Sequence, residues 1–296
     1  MNGWGCPGES AANTPAGMPP SGAIEPARIV DRRIWRESGP SSGSRSIPEE
    51  TAVALTYNGG TYAVMMATPL DLEDFAVGFS LSEGVIATSA DIDSLDVVRL
   101  GNGVELRMWL SKPKADRLQA RRRHIAGPTG CGLCGIESIA EALRPAAVIG
   151  YGRQFSPEQI MVAMQGLPSR QKLNIETRAV HAAAFWNARS GIVALREDVG
   201  RHNALDKLSG ALARASIAVG EGIILLTSRV SVEMVQKTAA IGASVMVSVS
   251  APTALAVRMA DAAGITLAAI ARADGFEVFT HPYRISQGAA EIREGC

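Results

Sequence analysis

The chain has 296 residues and carries 29 basic and 29 acidic side chains, so its formal net charge at neutral pH is zero. This balance provides no general attraction to nucleic acid or acidic membranes, and we expect neither as a partner. Hydrophobic residues make up 47% of the chain and charged residues 20%. No run approaches the roughly 18 apolar residues of a membrane helix. The start, MNGWGCPGES, lacks the basic and apolar parts of a secretory signal, so we expect a cytoplasmic protein.

Residues 1–48 are predicted to form a flexible tail. They consist largely of Gly, Pro, Ser and Ala with scattered charges. Such a segment cannot bury enough apolar surface to offset the entropy lost on ordering. The folded part is therefore expected to begin at residue 49.

Residues 49–150 are predicted to form an α+β part. TAVALTYNGGTYAVMMATP contains two alternating strands around the turn Asn58-Gly59-Gly60, a strong hairpin signal. LDLEDFAVGFSLSEGV follows, and its acidic first turn and apolar spacing predict a helix. LDVVRLGNGVELRMWL then predicts a second hairpin around Gly101-Asn102-Gly103.

This first part ends in a Cys-x-x-Cys loop, GPTGCGLCGIESIAEAL, at residues 127–143. A structural zinc site would need two further ligands at short spacing. Cys6 lies in the tail, Cys296 is the last residue and the four histidines are scattered, so zinc is disfavoured. A dithiol redox pair and two small buried side chains remain as alternatives for Cys131 and Cys134.

We favour a reactive thiolate on an exposed loop. The glycines around the two cysteines argue against a tightly packed site. A predicted helix begins just after Cys134, and Arg121, Arg122 and Arg123 precede the loop. A helix N-terminus and nearby positive charge both favour the thiolate over the thiol.

Residues 151–296 are predicted to form a layered α/β domain. From Gly191 onward, strand-like runs such as GIVALRE, GIILLTS and SVMVSVS alternate with helix-like runs such as VSVEMVQKTAAIG and PTALAVRMADAAG. This alternation is typical of βαβ units. The continuous apolar run IILLT is typical of a strand covered by helices on both faces.

Polar turns follow the predicted strands of this domain. Parallel strands end at one edge of a sheet, where α/β proteins bind ligands, and the first-turn amides of the following helices bind phosphate. Plain helix capping, with Ser231 as a cap and Pro252 in a first turn, explains part of the pattern and does not exclude binding. The candidate binding residues are His202, Asn203, Arg229, Ser250, Thr253, Arg272 and Gly275.

Four motifs in order resemble the FdhD family of formate dehydrogenase accessory sulfurtransferases. They are GCGLCG, EDVGRHNALDK at 197–207, SRVSVEMVQKTA at 228–239 and SAPTALAV at 250–257. The resemblance extends over nearly everything after the tail. It implies a cytoplasmic, homodimeric sulfur carrier that takes persulfide sulfur from a cysteine desulfurase. The acceptor would be the molybdenum cofactor, bis-molybdopterin guanine dinucleotide, destined for formate dehydrogenase.

The resemblance also implies roles for particular residues. Cys131 would carry the persulfide, and Cys134 would assist. The turn from residue 270 to residue 275 aligns with the family's cofactor-binding turn, so the implied contacts to the guanine dinucleotide are Ile270, Ala271, Arg272, Ala273, Asp274 and Gly275.

The family's fold is similar to that of cytidine deaminases, which implies a deaminase-like layered α/β domain. The deaminase zinc signature is His-x-Glu followed by Pro-Cys-x-x-Cys. After His181 this chain has Ala183 at the glutamate position and no downstream cysteine pair, so we expect neither zinc nor deaminase activity. Arg178 and Ala179 replace a glycine pair that the family usually has before His181, which leaves the role of His181 open.

Two other functions are kept as alternatives to the sulfur carrier. One is a non-catalytic chaperone that only binds the molybdenum cofactor, and the other is a dithiol redox protein. Cys131 separates the three, because a carrier needs this sulfur, a chaperone does not, and a redox protein needs both thiols equally.

Overall fold

The computed structural model describes residues 24–101, 103–115, 118 and 143–286. The α-helices for which it gives full bounds are α1 (Leu72–Ser82), α2 (Pro157–Gln165), α3 (Lys172–Thr177), α4 (Arg201–Arg214), α5 (Val232–Ile241) and α6 (Ala254–Ala262). Within the described residues, no helix is both long and apolar enough to cross a membrane.

The strands form three sheets. They are β1 (Ala27–Arg36), β2 (Gly39–Pro48), β3 (Thr51–Tyr57), β4 (Gly60–Ala67), β5 (Ile92–Leu100), β6 (Gly103–Leu110), β7 (His181–Asn187), β8 (Gly191–Asp198), β9 (Gly222–Leu226), β10 (Val245–Ser248), β11 (Thr266–Arg272) and β12 (Gly275–Val278). The predicted mixed α/β class is confirmed.

The first sheet corrects the prediction for the tail. Strands β1 and β2 pair in antiparallel fashion from Ala27 opposite Pro48 to Arg36 opposite Gly39. Residues 27–48 are therefore a hairpin, and the prediction that the flexible tail extends to residue 48 is wrong for them. Because neither face of this hairpin is buried, its Ser- and Arg-rich sequence lacks the alternation of apolar and polar residues that predicts a strand. Residues 1–23 lie outside the described residues.

The second sheet has four strands in the order β4-β3-β6-β5. It confirms both predicted hairpins, since β3 pairs with β4 and β5 pairs with β6 in antiparallel fashion. Asn58 and Gly59 both have positive φ angles, 47° and 80°, as a two-residue hairpin turn requires. The predicted helix after this hairpin is α1, and Phe75 on it packs with Leu55 and Leu106 of the sheet.

The third sheet has six strands in the order β12-β11-β10-β9-β7-β8. Its central strands β9, β10 and β11 are parallel, as the βαβ pattern predicts. Helices α4, α5 and α6 pack on one face, where Leu205 and Met234 contact the core around Ile224. Helix α2 packs on the other face, where Ile160 joins the core around Leu225.

Helices α1 and α4 cross at two glycines and connect the second sheet to the third. A Cβ atom on Gly78 would lie 1.7 Å from the carbonyl oxygen of Asp206, and one on Gly210 would lie 1.9 Å from that of Asp74. Any larger residue would push the helices apart. Arg214 on α4 adds an ion pair, with its Nη1 2.6 Å from Asp74 Oδ1 on α1.

A fully buried ion pair fixes the same junction. Lys207 Nζ on α4 lies 2.6 Å from Asp198 Oδ2 at the end of β8, and both side chains have no exposed surface. Thr68, which follows β4, donates its N–H to Asp198 Oδ2 (2.9 Å) and accepts from Lys207 Nζ at its carbonyl oxygen (2.8 Å). Burial lowers the pKa of Lys207, and the Asp198 carboxylate opposes that effect. The pair therefore holds the segment after the second sheet against the third sheet.

Replacing Lys207 with methionine is expected to lower the free energy of unfolding by about 3–5 kcal/mol. The substitution keeps the volume but leaves the buried Asp198 carboxylate without its cation. Urea denaturation followed by circular dichroism measures the loss. Lys172→Met is the matched control, because Lys172 is exposed on α3, and it is expected to change stability by less than about 0.5 kcal/mol. Equal stabilities of the two variants would contradict the proposed importance of the pair.

Candidate functional site

The predicted polar turns meet at one edge of the six-stranded sheet, which we call the polar edge. It comprises His181, residues 199–203, 227–231, 249–253 and 270–275. Strands β9, β10 and β11 are parallel neighbours, so their carboxyl ends lie side by side. Strand β7 is antiparallel to β9, and β8 is antiparallel to β7, so the start of β7 and the end of β8 reach the same edge. The predicted meeting of the three turns is confirmed.

Backbone hydrogen bonds join these turns to each other. Val230 donates to the carbonyl oxygen of Ala251 (3.3 Å), and Thr253 donates to that of Val230 (3.0 Å). Ile270 donates to the carbonyl oxygen of Ser250 (3.4 Å). The polar edge is therefore a connected surface built on the sheet, with the predicted residue Ser250 half-buried at its centre.

The turn after β11 is distorted at its start. Ile270 has a φ angle of 54°, in the left-handed region that β-branched residues disfavour, and the pairing with β12 shifts register between Ala269 and Arg272. Arg272, Ala273 and Asp274 are exposed beyond this irregularity, whereas Ala271 is buried. The strained backbone thus presents Arg272 and Asp274 at the polar edge.

Arg272 and Arg229 at the polar edge differ in their hydrogen-bond partners. Arg272 donates through Nη1 to the carbonyl oxygens of Val249 and Ala271, so its guanidinium also braces the turn after β10. Arg229 is exposed, and among the described residues its guanidinium has no hydrogen-bond or ion-pair partner. Arg229 is therefore the more available cation for a phosphate, and contact of either residue with the cofactor stays a prediction.

The helix starts at the polar edge partly confirm the capping interpretation. Thr253 caps α6, and its Oγ1 accepts from the N–H of Ala256 (3.2 Å). Ser231 occupies the cap position of α5, but its hydroxyl donates to Glu233 Oε2 (2.7 Å) instead. Pro252 lies before the cap of α6 and not in its first turn. The first-turn amides of α5 therefore have no side-chain cap from Ser231.

The neighbouring candidates His202 and Asn203, at the start of α4, lie in different environments. Asn203 is 3% exposed, and its Nδ2 donates to the carbonyl oxygen of Met66 (2.8 Å) and to Asp198 Oδ1 (3.0 Å). The side chain of Asn203 is thus part of the junction between the sheets, and its contact with the cofactor stays a prediction. His202 remains half-buried at the edge, with Nε2 3.5 Å from Glu233 Oε2.

Arg201 and His181 belong to the edge although sequence reasoning did not select them. Arg201 is half-buried, and its Nε has no hydrogen-bond partner among the described residues. Burial lowers the pKa of His181, and the Arg201 guanidinium lowers it further. The pKa of His202 is lowered by the same two causes in the same order. Both imidazoles are therefore neutral at pH 7, and the arginines supply the positive charge.

The catalytic candidates Cys131 and Cys134 lie outside the described residues. Beyond them, Arg144 Nη2 donates to the carbonyl oxygen of Ser82 at the end of α1 (2.7 Å). Gln236 Nε2 on α5 donates to the carbonyl oxygen of Arg144 (2.8 Å). The segment that follows the cysteines is thus attached to the end of α1 and to α5, the helix that begins at the polar edge. Within the described part of the chain, no group of three or more His, Cys, Asp or Glu side chains is placed to hold a metal ion.

Comparisons with known proteins agree with this architecture. The sulfur carrier protein FdhD of Agrobacterium fabrum is 53% identical over 259 residues, which cover 87% of this chain and 96% of that protein. The sulfur carrier protein FdhD of Brucella abortus is 50% identical over 260 residues, covering 88% and 97%. Both relatives align over almost their whole length.

A solved structure and a family model complete the comparison. The structure, described as a formate dehydrogenase accessory protein from Desulfotalea psychrophila, superposes with a TM-score of 0.70 at 25% identity, covering 88% of this chain and 100% of that one. The model of the FdhD/NarQ family matches residues 48–286. The matched range, together with the two curated relatives, shows that the chain belongs to the FdhD/NarQ family.

Proposed function

We propose that this protein is a sulfur carrier that takes persulfide sulfur from a cysteine desulfurase and passes it to the molybdenum cofactor used by formate dehydrogenase. Membership of a family whose curated relatives are named sulfur carrier proteins supports the carrier role. The description of the solved relative as a formate dehydrogenase accessory protein supports the destination. The cofactor, bis-molybdopterin guanine dinucleotide, is the substrate in this proposal.

The loading step assigns a direct chemical role to Cys131. Its thiolate attacks the outer sulfur of the desulfurase persulfide, a new S–S bond forms on Cys131, and the desulfurase cysteine leaves as a thiolate. Loading consumes no external oxidant or reductant. In the transfer step the Cys134 thiolate attacks Cys131 Sγ, the S–S bond of the persulfide breaks, and the outer sulfur leaves as sulfide for the cofactor while a Cys131–Cys134 disulfide forms. A thiol reductant then returns both cysteines to thiols.

The observation that carries the acceptor half of the proposal is the meeting of three parallel strand ends at the polar edge. Arg229 follows β9 and Arg272 ends β11, so the two arginines flank the turn after β10, and guanidinium groups bind phosphate oxygens in a bidentate manner. The first-turn amides of α5 and α6 point to the same edge and add partial positive charge. A pyrophosphate with its guanine nucleotides suits this surface.

The loading step predicts a mass increase of one sulfur on the intact protein after incubation with a cysteine desulfurase and cysteine. The increase should be absent in Cys131→Ala, because that variant lacks the attacking sulfur. Cys134→Ala should load normally and transfer sulfur more slowly. Intact-protein mass spectrometry under non-reducing conditions makes the measurement.

Two outcomes of that experiment would reject the carrier role. One is no mass increase in the wild type. The other is an undiminished increase in Cys131→Ala, which would move the carrier sulfur to another cysteine. Equal loss of formate dehydrogenase activation in Cys131→Ala and Cys134→Ala, with no persulfide on either cysteine of the wild type, would favour the redox alternative.

The proposed binding of the cofactor at the polar edge predicts that Arg229→Ala and Arg272→Ala each weaken GDP binding about tenfold or more. Each loses charge-assisted hydrogen bonds to phosphate, worth roughly 1.5–3 kcal/mol. Isothermal titration calorimetry with GDP as a surrogate ligand measures the affinity. Arg189→Ala is the control, because Arg189 lies in the exposed turn between β7 and β8, at the opposite edge of the sheet.

Persulfide loading of the two arginine variants should be unchanged, which separates binding from sulfur transfer. Because Arg272 also braces the turn after β10, the thermal stability of its variant is measured alongside. Unchanged GDP affinity in both variants would show that the nucleotide binds away from the polar edge.

A further inference from the structure

The β1–β2 hairpin exposes large side chains that nothing in its own sheet covers. Ile29 is 74% exposed and Trp35 is 76% exposed. The pairing register places Ser46 opposite Ile29 and Pro40 opposite Trp35, and β2 consists mainly of Gly, Ser and Pro. The face that carries Ile29 and Trp35 therefore lacks a neighbour large enough to shield it.

The hairpin is also basic. Residues 27–48 contain five arginines and only two carboxylates, Asp31 and Glu37. Arg32, Arg33 and Arg36 are exposed, and no ion pair links any of the three to another described residue. Arg33 therefore shares the face of the exposed Trp35, and Arg32 and Arg36 add positive charge on the opposite face of the same strand.

Side-chain contacts to the rest of the chain are concentrated at the base of the hairpin, on α3, the helix that precedes His181 of the polar edge. Arg45 Nη2 donates to the carbonyl oxygen of Thr177 (3.1 Å), and Ser46 Oγ donates to Glu176 Oε1 (2.5 Å). Thr177 ends α3, four residues before His181. A two-stranded hairpin is marginally stable in water without a surface to pack on. The outer part of this hairpin therefore lacks its packing partner.

We propose that the β1–β2 hairpin is a docking arm for the enzyme that accepts the sulfurated cofactor, and that the surface it binds is acidic around an apolar depression. The inference rests on the proposed function, because the arm is attached to α3, the helix that precedes the edge from which the cofactor would be handed over. Tryptophan and arginine dominate the binding energy of protein interfaces. The excess positive charge selects an acidic partner and accelerates its association.

A second copy of this chain is a poorer match for the arm. Its 29 basic and 29 acidic side chains leave it without net charge, so a second copy offers the basic arm no overall electrostatic attraction. A separate acidic protein does offer that attraction.

The test measures binding of purified apo formate dehydrogenase to the full-length wild type and to two arm variants by surface plasmon resonance. The variants are the double substitution Arg32→Glu with Arg33→Glu, and Trp35→Ala. Both should raise Kd at least tenfold, and the wild-type affinity should fall as salt is added. Arg258→Glu, which reverses an exposed charge on α6, should bind like the wild type. Circular dichroism, persulfide loading and GDP affinity should be unchanged in all variants.

Unchanged Kd in both arm variants would overturn the inference. The inference would also be overturned if the arm variants bound cysteine desulfurase more weakly and formate dehydrogenase as well as the wild type does. A smaller number of subunits in the arm variants, measured by light scattering, would overturn it too, because the arm would then be a contact between copies of this chain. If the wild type loads persulfide but does not bind the dehydrogenase, the proposal for the arm is rejected and the proposed function stands. If the wild type does not load persulfide, the proposed function fails.

Discussion

The buried pair of Asp198 and Lys207 is the interaction on which the rest of the structure depends. It joins the end of β8 to α4, and through Thr68 it joins both to the segment that leaves the four-stranded sheet. Asn203 extends the network to Met66. A buried charge pair is costly unless its hydrogen bonds are complete, and here the backbone supplies them. The two sheets are therefore fixed relative to each other at the base of the polar edge.

This junction explains how one motif, EDVGRHNALDK, contributes to both the buried junction and the polar edge. Asp198, Asn203 and Lys207 point into the junction and are buried. Arg201 and His202 come from the same stretch but lie half-buried at the polar edge. Because the network immobilises the first turns of α4, it also sets the positions of these two side chains. The edge then gains its charge from arginines, since the two neighbouring imidazoles have lowered pKa values.

Local signals in the sequence were sufficient for much of this arrangement. The Asn58-Gly59 turn requires positive φ angles, and parallel strands must end at one edge, so the hairpins and the meeting of the polar turns were predictable. The burial of Asn203 was not, because it depends on Met66, 137 positions away in the chain. The β1–β2 hairpin was missed because its strands have no buried face, so no alternation of apolar residues marks them. Arg201 was passed over because its unpartnered Nε is visible only in three dimensions.

The central claim is that sulfur passes through this protein to the cofactor. The most direct measurement loads the wild type with ³⁵S from labelled cysteine and a desulfurase, removes the desulfurase, and adds the molybdenum cofactor lacking its sulfur. The account predicts that the label leaves the protein and appears on the cofactor in a single turnover, in an amount equal to the persulfide lost. Label that stays on the protein while the cofactor remains bound would contradict the account and favour a chaperone that only binds the cofactor.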